Sequence, residues 1–174
     1  MGSNIKELEE KARKLRIDVI KMTTEAGSGH PGGSLSAADL LAVLYFDVMN
    51  VRPSDPEWED RDRFVLSKGH AAPVLYAALA ESGYFPVDEL KTLRKIGTRL
   101  QGHPVKGKLP GVEATTGSLG QGLSVACGIA AAAKLDPAEL RGKTIIGEFY
   151  RGDAPGYIDL YDGVIERAKE AAGK

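Results

Sequence analysis

The chain contains three histidines, and each follows a glycine: Gly29-His30-Pro31, Gly69-His70-Ala71 and Gly102-His103-Pro104. Imidazole donates a hydrogen bond, carries charge near neutrality and moves protons, so it suits acid–base work at a bound substrate. Taken singly, each is more commonly a loop residue that caps backbone or faces water. Three in matching contexts, each at a break between expected elements, weaken that reading only modestly, although loops of an α/β fold can gather at one sheet edge. Zinc is a weaker alternative, since the spacings match no familiar ligand pattern and cysteine support is absent.

A second candidate is Thr115-Thr116-Gly117-Ser118-Leu119-Gly120-Gln121-Gly122. Glycines at a helix start let an anion approach bare N–H groups, where the helix dipole also favours negative charge, and a diphosphate is a plausible guest. The structural alternative is a glycine-rich turn before a helix that packs closely through Ala126, Ala130 and Ala133. Three other stretches are set aside. Arg141-Gly142-Lys143-Thr144 ends like a phosphate-binding loop, but Pro137 stands where a glycine is required and a strand follows instead of preceding it. The glycines of 117–122 lack the dinucleotide spacing, and Arg151-Gly152-Asp153 reads as a surface turn. The single cysteine, Cys127, lies in an apolar run and reads as a small buried hydrophobe.

The elements that must position these loops follow from periodicity. Asn4 to Ala26 reads as one helix, with apolar Ile5, Leu8, Ala12, Leu15, Val19 and Met22 at helical steps and an Asn4/Glu7 capping box. Gly27 to Gly33 is a loop. Ser34 or Ser36 starts a well-buried helix to about Met49, with Ser36-Ala37-Ala38-Asp39 resembling a capping box. Val51 to Arg61 is a surface loop, and Arg63 to Ser67 a short strand. Helices are expected over about Ala71 to Glu81 and Pro86 to Arg94, loop over Gly97 to Gly117, and a small-residue helix over Leu119 to Leu135. Pro137 to Leu140 is a turn or short helix, Lys143 to Tyr150 a strand, Arg151 to Gly156 a turn, and Tyr157 to Ala172 a final helix. Helices alternating with strands predict an α/β, three-layer architecture: a parallel sheet with helices on both faces.

Bulk properties narrow the classes. With 174 residues, 43% of them apolar and 27% charged, the chain has the profile of a globular domain. Lys and Arg total 23 against 24 Asp and Glu, which offers no broad attraction to nucleic acid. No segment has the length and apolarity of a membrane span or a signal peptide. A reducing, cytoplasmic setting is expected.

Four motifs together carry a family resemblance. Gly27-Ser28-Gly29-His30-Pro31-Gly32-Gly33-Ser34 with the following Ala-Ala-Asp-Leu resembles the N-terminal signature of transketolases. Asp62 to Ala71 is similar to the family's second motif, and Gln101-Gly102-His103-Pro104 to its third. Thr115 to Gly122 is similar to the fourth, with Ser118 where proline is common. The resemblance covers about Ile17 to Leu135 and implies transfer of a two-carbon ketol unit between sugar phosphates, as in the pentose phosphate pathway, with thiamine diphosphate and Mg2+. By position, it implies that His30 and His103 meet the substrate as catalytic residues. It implies that His70, Gly117, Ser118 and Leu119 border the cofactor. A family strand ending in Gly-Asp-Gly, and a later metal-binding asparagine, have no match after Lys143, where Gly147-Glu148-Phe149 follows the strand. Asp153 is the nearest candidate metal ligand, with Asp159 and Asp162 as weaker ones. The resemblance therefore implies the front of a diphosphate-binding domain over 1–142, and over 143–174 a strand and helix that diverge from the family or reflect truncation. Expected partners are sugar phosphates, a second copy in a homodimer, and a C-terminal transketolase subunit carrying the pyrimidine-binding domain and its activating glutamate. Alone, the chain is expected to be inactive. The competing reading is a non-catalytic scaffold that keeps the fold and binds no cofactor.

Overall fold

A computed structural model describes residues 4–132 and 144–146. Helix α1 spans Ile5–Ala26. The Asn4 side chain accepts from Lys6 N–H at 3.1 Å, and the Glu7 carboxylate accepts from Asn4 N–H at 3.3 Å. This is the expected reciprocal cap, and it satisfies donors that the first turn leaves open. Leu8, Ala12, Leu15, Val19 and Met22 are all buried, so the apolar stripe read from the sequence packs from Leu8 onward, whereas Ile5, at the helix start, is exposed. Gly27 ends the helix in the left-handed region at φ 59°, its N–H reaching Thr23 and Thr24 carbonyls.

The single helix expected up to Met49 is instead three pieces. A short helix α2 covers Pro31–Leu35, with proline at its start. Helix α3 covers Ala38–Val43 and runs on as a π-helical turn, Leu44–Val48. The residue before α3 is Ala37, which cannot cap with a side chain. Ser36 does not fill the capping role expected of it: its hydroxyl donates to Gly33 O at 3.0 Å and accepts from Lys68 Nζ at 3.2 Å. Asp39 pairs with Arg16 of α1 instead of completing a box.

Strand β1 is Arg63–Val65 and β2 is Thr144–Ile146. They pair in parallel, with Phe64 opposite Ile145. Between them the chain makes a 3-10 turn at Gly69–Ala71, helix α4 over Ala72–Glu81, a 3-10 segment over Val87–Thr92, and helix α5 over Gln121–Ala132. The segment expected as helix up to Arg94 is thus a tighter and shorter 3-10 run. The expected turns and helix of 137–140 and 151–172 lie outside the described residues.

Helix α4 is the centre of the core. Every residue from Ala72 to Ala80 is buried, as a helix apolar on all sides requires. Its small alanines let α1 and α3 approach closely, and Leu15, Val19, Met22 and Leu41 fill the space between. Each such side chain contributes about 1.5–3 kcal/mol on burial. Ala126 of α5 packs with Val65 and Ala114, and Ala130, one turn on, is also buried. Cys127, expected to be buried, is exposed, because it is rotated about a quarter of a turn off the Ala126/Ala130 stripe. Among the described residues, no helix is long and apolar enough to cross a membrane.

Candidate active site

The three histidine loops meet. His30 stands immediately before α2, where its carbonyl accepts from Ser34 Oγ at 3.2 Å. Gly29, with φ 142°, takes a conformation that side chains rarely adopt, and a Cβ there would lie 2.9 Å from Thr23 Cγ2. The turn that delivers His30 therefore needs glycine. His70 lies in the 3-10 turn between β1 and α4, and its ring meets that of His30 edge to face at a centroid distance of 5.4 Å. Gly33 leaves room for it: a Cβ at Gly33 would be 3.1 Å from His70 Nε2.

His103 is held from behind. Tyr76, fully buried in α4, directs its hydroxyl to the carbonyl oxygens of Gln101 and His103, at 2.9 and 3.1 Å. Burial keeps that phenol far above its ordinary proton affinity, so it remains a donor. The His103 imidazole itself is held below its ordinary value, first by desolvation, then by the positive charge of Arg94 and by His30 and His70. A neutral imidazole is thereby favoured, able to donate from one nitrogen and accept at the other.

Sequence reasoning missed Arg94. It is the one non-glycine residue at positive φ among those described, at 59°. Its N–H donates to Leu100 O at 2.9 Å, and its Nη1 donates to Ser28 Oγ at 2.8 Å in the His30 loop. Its guanidinium also lies over Gly102, where a Cβ would come within 2.9 Å of Nε. A positive charge is thus shared between the His30 and His103 loops, through a side-chain bond from Arg94 to Ser28 that spans 66 residues. Its only sequence signal was a basic residue at the end of an expected helix, which does not distinguish it from a surface arginine.

The segment from Thr115 to Gly122 closes the remaining side. Thr116 N–H donates to Pro104 O at 3.2 Å, and Thr115 Oγ1 accepts from Lys106 N–H at 3.0 Å, which fastens it to the His103 loop. Gly69 and Gly122 are needed for close approach: a Cβ at Gly69 would be 2.7 Å from Thr116 backbone, and one at Gly122 would be 2.6 Å from Ser67 Cα. A Cβ at Gly117 would lie 3.8 Å from His103 Cδ2. Ser67 Oγ and Thr116 Oγ1 are buried here without a hydrogen-bond partner among the described residues. Ser118 and Leu119 are exposed beyond them. Asp153, Asp159 and Asp162 lie outside the described residues.

Loops gathered just past the end of a strand in a parallel pair, with a helix start beside them, stand where α/β folds commonly place ligands. The family model for the transketolase thiamine diphosphate-binding domain matches residues 6–174, and the chain belongs to that family. The match continues past Lys143, into the segment expected to diverge from the family. Human transketolase is 50% identical over 142 residues, which is 81% of this chain and 23% of that protein. A 6-deoxy-6-sulfo-D-fructose transketolase subunit of Clostridium sp. (strain MSTE9) is 46% identical over 142 residues, 82% of this chain and 52% of that subunit. Among solved structures, transketolase from Leishmania mexicana superposes with a TM-score of 0.76 at 28% identity, covering 96% of this chain and 35% of that one. Transketolase from Campylobacter jejuni superposes at 0.70 with 41% identity. The chain spans about a quarter of the length of the curated transketolases it matches.

Proposed function

We propose that this chain supplies the diphosphate side of a thiamine diphosphate site for two-carbon ketol transfer between sugar phosphates, and that it is inactive without the pyrimidine-binding domain. The observation that carries this reading is the meeting of His30, His70 and His103 with the Gly117 segment beyond β1. The site fits the cofactor in its chemistry. Two buried hydroxyls lack partners, glycines leave backbone bare, and the start of α5 offers N–H groups to an anion.

His70, Gly117, Ser118 and Leu119 are the residues that would hold the cofactor. When bound, thiamine diphosphate supplies the electron sink that carbon–carbon cleavage requires. The protein side positions the sugar and moves protons. His30 is exposed at the mouth, suited to a substrate hydroxyl. His103, favoured in its neutral form, can take a proton at one nitrogen and give one from the other. Arg94 gives the mouth a positive charge that suits a phosphorylated sugar. In this reading Mg2+ neutralises the diphosphate, with Asp153 as the proposed ligand.

The architecture that goes with this reading is a three-layer domain with a parallel sheet between helices. Residues 1–142 form the front, and 143–174 complete it with a divergent strand and helix. The working protein is a cytoplasmic homodimer, joined by a C-terminal transketolase subunit, in the pentose phosphate pathway.

Calorimetric titration of thiamine diphosphate with Mg2+ into the full chain tests the reading. Binding is expected, weakened by His70→Ala, with no turnover of sugar phosphates until a pyrimidine-domain chain is added. His30→Ala and His103→Ala should each then reduce turnover by on the order of a hundredfold. Absence of binding, or turnover by the chain alone, overturns it.

A further inference from the structure

Helix α1 leads into the His30 loop and helix α4 starts from the His70 turn, and between them lie two acidic side chains that the site does not use. Asp18, on α1, is 8% exposed, and its Oδ2 has no hydrogen-bond partner among the described residues. Glu81, the last residue of α4, has a side chain 4% exposed, and its Oε1 is likewise without a partner. The other Glu81 oxygen accepts from Lys14 Nζ at 2.6 Å. Ionised carboxylates only accept, so two of them cannot satisfy each other. A single proton between them gives each orphaned oxygen what it lacks.

The surrounding charges leave the same deficit. On α1, Lys14 is committed to Glu81, and Lys21 acts on Asp18 only through space. Arg16 pairs with Asp39 of α3, and Arg13 with Glu10. Lys91 of the 3-10 segment pairs with Asp88, and Lys95 just beyond it pairs with Glu25. The neighbouring helix α2 carries no charged side chain. Beyond Glu81, the adjoining groove is rimmed by Lys11, which lies over the Phe46 ring, and by Asp47. Two buried carboxyl groups therefore share one directly bonded cation. A buried charge left uncompensated is costly, and protonation removes it.

We propose that Asp18 keeps its proton in the folded chain and donates it to Glu81, so that a shared-proton carboxyl pair fastens α1 to α4. The Asp18 carboxyl is indeed held above the usual carboxylate range, first by burial, then by the charge and hydrogen bond of Glu81, with Lys14 and Lys21 opposing. Asp18 is a positioning residue in this arrangement. It sets how α1 stands on α4, and so how the His30 loop at the end of α1 meets His70 at the start of α4. The inference does not depend on the cofactor reading.

The sign of the pH effect follows. The folded chain binds the Asp18 proton more tightly than the unfolded chain. This contribution to stability is fully present below the unfolded carboxyl value and is lost as pH rises through the folded one. Asp18→Asn carries a permanent donor to Glu81 and no charge, so its stability should lack that loss. Carbon-13 NMR of the side-chain carboxyls in the full chain should show Asp18 titrating above the ordinary aspartate value of about 3.9. In Glu81→Gln that midpoint should move down. Thermal melting should show a gap between Asp18→Asn and the native chain that opens with rising pH, by about 3 °C for each tenfold change in proton affinity. The His30 ring signals should carry an inflection at the Asp18 midpoint in the native chain and lose it in Asp18→Asn. An ordinary Asp18 midpoint, or one unmoved by Glu81→Gln, overturns the shared proton. Parallel melting curves do the same. A His30 signal blind to Asp18 overturns the positioning role. The two NMR titrations of folded chain decide the matter even if Asp18→Asn does not fold.

Discussion

Arg94 and His103 set the electrostatics of the site at the level of single residues. The guanidinium stands close enough to disfavour protonation of the imidazole, after desolvation has already done so. Arg94→Gln removes that charge and should raise the His103 midpoint towards the ordinary imidazole value of about 6.5, without fully reaching it, because burial remains. Histidine ring NMR across pH 4 to about 8 measures this directly. A His103 midpoint unchanged by the substitution would show that desolvation acts alone. The linkage has a definite sign. His103 is harder to protonate folded than unfolded, so stability falls as pH drops from the unfolded value through the folded one. The histidines themselves were legible in the sequence, since each stood after a glycine at a break between elements. Arg94 and Tyr76 were not. Their importance lies in contacts to Ser28 and to the carbonyls of residues 101 and 103, and no local pattern encodes those.

At the level of elements, legibility followed how local the deciding forces were. Helix α1 could be read almost to the residue, because its cap, its stripe and its glycine stop are all properties of adjacent positions. Asn4→Ala should cost about 1 kcal/mol by urea unfolding, since the Lys6 N–H of the first turn loses its side-chain acceptor. A loss indistinguishable from zero would mean that packing against α4 alone holds the helix start. The helix expected from Ser34 or Ser36 to about Met49 differs from the short helices found from Pro31 to Val48, because the breaks depend on distant partners. Ser36 is engaged by Lys68, 32 residues on, and Asp39 by Arg16, 23 residues back. A capping motif works only where its side chains are free to cap. Cys127 was misread for a related reason: an apolar neighbourhood in sequence does not say which face of α5 the packing selects.

Across the whole molecule, long loops are held by a few connections of large sequence separation. Arg61 and Glu113 form a two-pronged pair at 2.9 and 3.0 Å, with side chains 9% and 10% exposed, and Arg61 also donates to Trp58 O at 2.7 Å. Removing one partner strands the other in a poorly hydrated place, so Arg61→Ala should cost about 3–5 kcal/mol. Replacing both partners with apolar side chains should cost less, which a double-variant unfolding cycle would reveal. The association proposed above has its own probe. Cys127 is the sole cysteine and is exposed on α5, so its rate of maleimide labelling reports whether that face becomes covered. Slower labelling at higher protein concentration is expected, and a concentration-independent rate would place the contact elsewhere or remove it.

Helix α4 has a consequence that reaches beyond its own packing. His70 sits at its entrance, Tyr76 in its middle grips the His103 loop, and Glu81 at its exit receives α1, which ends at the His30 turn. The three histidine loops are thus mounted on one shared beam, and a disturbance anywhere along it displaces them jointly. Mutational tolerance should therefore be as low along the buried alanines of α4 as at the histidines. A saturation screen that selects for function should show a continuous intolerant band from Gly69 to Ala80, where contact with ligand alone would give isolated points.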